Sequence, residues 1–208
     1  MKYLKKFNEI NNYEQATLDD VFNECSEFID EIKDCGKLLY RGVFNVEYDI
    51  ERFRNSVGYR KPVTTDYTVH TKLNYYFNKI FGWNVRNGAF AYLDSNELTS
   101  RFTADYGDAT YIMFPVDGYK YCWSPKVTDL FCDYQDEMSG DAFYSKELNG
   151  LDEKNIDYWI NTELNIYEIY KETDICEAKL NNEISINGDY YLIDLKIRDE
   201  IIKKMKEL

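Results

Sequence analysis

Two side chains in this sequence, a carboxylate and a guanidinium, are placed where they could do chemistry. Glu183 opens the stretch Glu183-Ile184-Ser185-Ile186-Asn187-Gly188-Asp189, in which Ile184 and Ile186 alternate with polar residues. Period two puts Glu183 and Ser185 on the face opposite the isoleucines. The acid is thereby held on a rigid element, as a catalytic group should be. Its ordinary alternative is a solvated acid at a strand edge. Arg41 lies in the apolar run Lys37-Leu38-Leu39-Tyr40-Arg41-Gly42-Val43. An arginine there ordinarily snorkels to water, but Gly42 beside it has no side chain and lets a ligand approach the backbone. A carboxylate of this kind suits a developing positive charge, and a guanidinium suits an anion.

These residues need elements to position them. Asn187-Gly188-Asp189 reads as the turn of a hairpin whose second strand is Tyr190 to Ile193. Asp117-Gly118, between Thr110–Val116 and Tyr119–Ser124, gives a second hairpin signal. Upstream, Thr17 is set to cap one helix, with Leu18, Val21, Phe22, Cys25, Phe28, Ile29 and Ile32 at helical spacing and Gly36 closing it. Asn45 to Thr65 reads as an irregular, basic connection. A helix is predicted from Asp66 to Ile80, with His70 in a structural or exposed role. Asn87 to Tyr92 is a small-residue turn entering a strand, and a helix follows from about Asn96 to Tyr106. Pro125 to Met138 holds a short helix, Leu151 to Thr173 a long one, Asp174 to Leu180 another short one, and Lys196 to Leu208 a charged helical tail. Strands and helices do not alternate strictly, so the fold class is α+β. The 208 residues form one domain, with residues 1–36 as an N-terminal helical segment and 196–208 as a C-terminal tail.

Composition narrows the partners. A formal charge of −13 argues against charge-driven binding to nucleic acid, although it would suit an acidic inhibitor of a basic nucleic-acid-binding protein. Five cysteines without a C-x-x-C pair, and one histidine, argue against a zinc site or any other metal centre. Reduced cysteines in a cytoplasmic protein are the expectation. No signal peptide and no membrane-spanning run is expected. Twenty tyrosines and twelve phenylalanines predict a ring-lined core and cleft.

Three stretches, Leu39-Tyr40-Arg41-Gly42, Asn87-Gly88-Ala89-Phe90-Ala91-Tyr92 with Ala104-Asp105-Tyr106-Gly107, and Asn182-Glu183-Ile184-Ser185-Ile186, together resemble the ADP-ribosyltransferase superfamily. The first is similar to its Arg-Gly strand. The second is similar to its Gly-x-Phe-Ala strand and following helix, a pattern shared with poly(ADP-ribose) polymerases, and the third to its glutamate strand. Phe81-Gly82-Trp83 and Tyr119 to Lys126 look like bacteriophage proteins of the same class. The resemblance spans roughly residues 38–193. It implies split antiparallel sheets with flanking helices, NAD as the bound cofactor, and Glu183 as the catalytic residue. Arg41 and Gly42 would hold the diphosphate or neighbouring ribose, with Gly88, Phe90, Ala91, Tyr92 and Tyr106 completing the cofactor site. It further implies mono-ADP-ribosylation of a host macromolecule by a phage effector in the host cytoplasm, with virion delivery as one route. Two alternatives stand beside it: an NAD glycohydrolase on the same scaffold, and a non-catalytic acidic binding protein. The family's arginine-bearing branch carries Ser-Thr-Ser where this chain has Phe90-Ala91-Tyr92. Acceptor-modifying toxins of that branch often place Glu or Gln two residues before the glutamate, where Asn181 stands here.

Overall fold

The structure, a computed structural model, describes residues 13–43, 46–54, 67–94, 109–127, 130, 153–179 and 182–208. Among them the strands are β1 (Tyr13–Gln15), β2 (Leu38–Val43), β3 (Ile50–Phe53), β4 (Ala89–Asp94), β5 (Ala109–Pro115), β6 (Lys120–Trp123), β7 (Glu183–Asn187) and β8 (Tyr190–Asp194). They form an antiparallel eight-stranded sheet in the order β1-β3-β8-β5-β2-β4-β7-β6. Helices are α1 (Leu18–Glu24), α2 (Ser26–Ile32), α3 (Tyr67–Phe81), α4 (Glu153–Tyr158), α5 (Ile166–Ile169) and α6 (Arg198–Lys206). The molecule is α+β. The predicted helix at 96–106, Tyr106 with it, and most of the one at 125–138 lie outside the described residues.

Both expected hairpins are corrected. The strands flanking Asp117-Gly118 form, but β5 pairs with β2 and β8 whereas β6 pairs with β7. Likewise β7 pairs with β4 and β6, and β8 pairs with β3 and β5. Each turn carries the chain from one half of the sheet to the other. The two crossings touch: the Val116 N–H donates to the Asp189 carbonyl at 2.9 Å. Tight-turn residues report that the chain reverses, not which strand it meets next.

The continuous helix expected over 18–32 is two helices that meet at Cys25 (φ −120°, ψ 29°). Thr17 caps the first through a reciprocal box with Asp20. The break is filled from the sheet. The Asp117 carboxylate accepts from the Ser26 hydroxyl (2.7 Å) and the Glu27 N–H (2.9 Å), capping α2 in place of a local side chain. The long helix expected at 151–173 is α4, a π turn over Trp159–Glu163, and then α5, separated by Asn165 in the left-handed region. Residues 175–177 make only a 3₁₀ turn. Strands β1 and β3 arise where no strand was expected.

The core has two parts. Val21, Phe28, Ile29 and Ile32 of α1 and α2, with Ile201 of α6, pack on strand residues such as Leu39, Phe114, Ile184 and Leu192. The second part sets α3 (Val69, Leu73, Phe77) against Trp83, Val85, Cys122, Trp159 and Ile166. Burying each such large side chain contributes about 1.5–3 kcal/mol. Reduced cysteines throughout are also corrected, because Cys35 and Cys176 form a disulfide with Cα atoms 5.8 Å apart. No helix among the described residues is long and apolar enough to cross a membrane.

Candidate functional site

The three stretches that carry the sequence motifs fall on β2, β4 and β7, which are consecutive neighbours in the sheet. Register joins them in one rung, Tyr40 opposite Tyr92 and Tyr92 opposite Glu183. Residues facing each other across a ladder share a face, so Glu183 sits on the Tyr92 and Tyr40 side, away from Ile184 as alternation predicts. That same rung is where β2 and β4 part company. Their recorded pairing ends at Tyr40–Tyr92, whereas β2 continues along β5 to Val43–Ala109 and β4 continues along β7 to Ala89–Ile186. Hydrogen bonding therefore makes one sheet, with a short seam of three pairs between its halves.

Arg41 is the first residue of β2 past the seam, and as the neighbour of Tyr40 it starts from the face of the sheet opposite Glu183. Its guanidinium reaches over and donates from Nη1 to the Phe90 carbonyl at 2.7 Å, with the Tyr190 ring centroid 5.8 Å away. Its Nε is buried and has no hydrogen-bond partner. Gly42 follows, opposite Thr110.

Glu183 is bound to a residue that the sequence did not single out. Arg86 donates from Nη1 to Glu183 Oε1 at 2.9 Å, the two side chains being 8 % and 11 % exposed. The Arg86 guanidinium lies over the Phe90 ring, 4.5 Å from its centroid, in cation–π contact. Arg86 is held from behind by α3. Asn74 Oδ1 accepts the Arg86 backbone N–H at 2.8 Å, and Asn74 Nδ2 donates to Asn87 Oδ1 at 2.9 Å. His70 Nε2 lies 3.1 Å from both the Asn87 oxygen and the Asn74 nitrogen. The histidine is thus structural and buried, consistent with the role given to it above. Nothing local marks Arg86 in the sequence. It stands in a 3₁₀ turn, Val85–Asn87, and meets its acid 97 positions away.

The remaining residues divide by burial. Phe90 is half-buried, opposite Ser185, and is the ring that the site presents. Ala91 is fully buried opposite Ile184 and belongs to the core, as does Tyr92. Gly88 has a packing reason of its own: a Cβ there would lie 2.5 Å from the Ile186 carbonyl oxygen. Cys122, opposite Ser185 on β6, is no nucleophile. Burial pushes its thiol well above the usual range, and the Glu172 and Glu183 carboxylates push the same way against Arg86.

Chemically, the arrangement offers a fixed carboxylate beside a half-buried aromatic ring, with two guanidinium groups engaging Phe90 from its carbonyl and its ring. Each has a buried Nε without a partner. Burial closes these Nε atoms to solvent, and it is the terminal nitrogens of a guanidinium that fit the oxygens of a phosphate or diphosphate. Compared with known proteins, the chain matches no protein family, no curated protein and no solved structure.

Proposed function

We propose that this protein is a mono-ADP-ribosyltransferase that takes NAD as its donor and modifies a macromolecule of the cell in which it acts, as a phage effector would in its host. The observation that carries this reading is that motif residues far apart in sequence, Arg41, Phe90 and Glu183, lie on three adjacent strands around one short seam. NAD would supply the glycosidic bond that breaks: nicotinamide leaves as a neutral ring with the bonding electron pair, and an acceptor nucleophile bonds to the ribose carbon and releases one proton. Departure of a group that is already cationic requires no general acid, so one carboxylate suffices where ordinary glycoside cleavage uses two. Glu183 would stabilise the positive charge that develops on the ribose. Arg41 would hold the diphosphate, and Phe90 would pack on a ring of the dinucleotide.

Incubating the protein with labelled NAD and a bacterial lysate should transfer label to a discrete acceptor. Glu183→Gln should lower the rate by about 10²–10³. Label recovered only as free ADP-ribose would identify the glycohydrolase alternative. A second reading has its own support. Glu183 is already engaged by Arg86, and hydroxyl-free Phe90-Ala91 replaces Ser-Thr, as expected of a non-catalytic acidic protein that docks on a basic partner. That protein would show no thermal shift with NAD and salt-sensitive partner binding.

A further inference from the structure

Resting on the transferase reading above, we infer that Arg86 is the positioning residue of the site: it fixes the Glu183 carboxylate in the orientation from which it acts on the ribose. Three observations converge on this. Arg86 Nη1 donates to Glu183 Oε1 at 2.9 Å, so the guanidinium acts on the direction of the carboxylate through that oxygen. The guanidinium plane is held by the Phe90 ring, the half-buried aromatic residue of β4. The backbone of Arg86 is locked by the Asn74–Asn87–His70 cluster, an arrangement that holds the guanidinium to one place before any ligand arrives. A buried ion pair is by itself a poor device for stability, because desolvating both charges offsets most of their attraction. A buried polar network spanning α3, β4 and β7 fits the demand for a reacting group held to a fraction of an ångström.

The test is steady-state NAD cleavage by the full chain, with melting curves confirming that each variant is folded. Arg86→Ala is expected to lower kcat by about 10²-fold, the loss expected when a reacting group is misplaced by about 1 Å. KM should stay within about 3-fold, as for a group that acts in the transition state and not in ground-state binding. Millimolar ethylguanidinium should restore part of kcat, and methylammonium should restore less, because only the former reproduces the planar fork. Where Arg86→Ala does not fold, Arg86→Lys carries the test, with kcat reduced about 10-fold at near-normal KM. A folded Arg86→Ala or Arg86→Lys enzyme with wild-type or raised kcat would overturn the inference alone, as would a loss that appears wholly in KM. Wild-type protein that neither transfers nor hydrolyses NAD would overturn the transferase reading and this inference together.

Discussion

At the scale of single residues, the site depends on a few close approaches. Gly88 is the tightest. Its missing side chain lets β4 begin against the backbone of β7, and Gly88→Ala drives a Cβ to 2.5 Å from a carbonyl that cannot swing away. We expect a loss of about 1–3 kcal/mol in urea unfolding, the usual cost of overpacking. Two free thiols among the described residues give a second prediction. Cys25 and Cys122 are buried, and burial pushes both thiols up. Native protein at pH 8 should therefore leave both unmodified by iodoacetamide over a time that labels them fully in denaturant, read by peptide mass spectrometry. Arg41 could be singled out in the sequence because it interrupts an apolar run, where an ionic group needs a reason, and Glu183 because it opens an alternating strand that resembles the family's glutamate strand. Arg86 could not. Its burial is imposed by Asn74 twelve positions before it and Glu183 far after it, and no window of local sequence contains either cause.

At the scale of elements, the helices were legible where local signals decide them. The Thr17 cap, the apolar stripe of α3 and the charged α6 all follow from spacing and capping residues. What was not legible is where the fold overrides local preference. Strand β3 reads Ile-Glu-Arg-Phe, and Glu51 within it is fully buried because its Oε1 accepts the backbone N–H groups of Glu47 and Tyr48. Alternation cannot show a carboxylate that serves as a turn cap. The break at Cys25 is similar, since its cap, Asp117, comes from a turn some ninety positions away. These two caps should be separable by experiment. Thr17→Ala removes a local cap and should cost about 1 kcal/mol. Asp117→Ala should cost more, because its carboxylate receives two donors on α2, the Ser26 hydroxyl and the Glu27 N–H. Chemical denaturation of both variants beside wild type measures the difference.

At the scale of the whole molecule, the disulfide ties the end of the N-terminal helical pair, just before β2, to the segment that leads into β7. Closing a loop across 141 positions restricts the unfolded chain strongly. Cys35→Ser is expected to cost about 2–5 kcal/mol. Lys37 braces the same junction, its Nζ donating to the Cys176 and Ala178 carbonyls at 2.8 and 2.9 Å. The paired crossings between the halves of the sheet carry a different consequence. A chain severed at Gly118 would leave two polypeptides whose strands interleave, since β8 lies between β3 and β5 while β7 and β6 continue the row beyond β4. Neither piece could complete its own layer. Co-expressed, residues 1–117 and 118–208 should reconstitute each other, and the Cys35–Cys176 bond would join them in a single band on a non-reducing gel that splits in two on adding thiol.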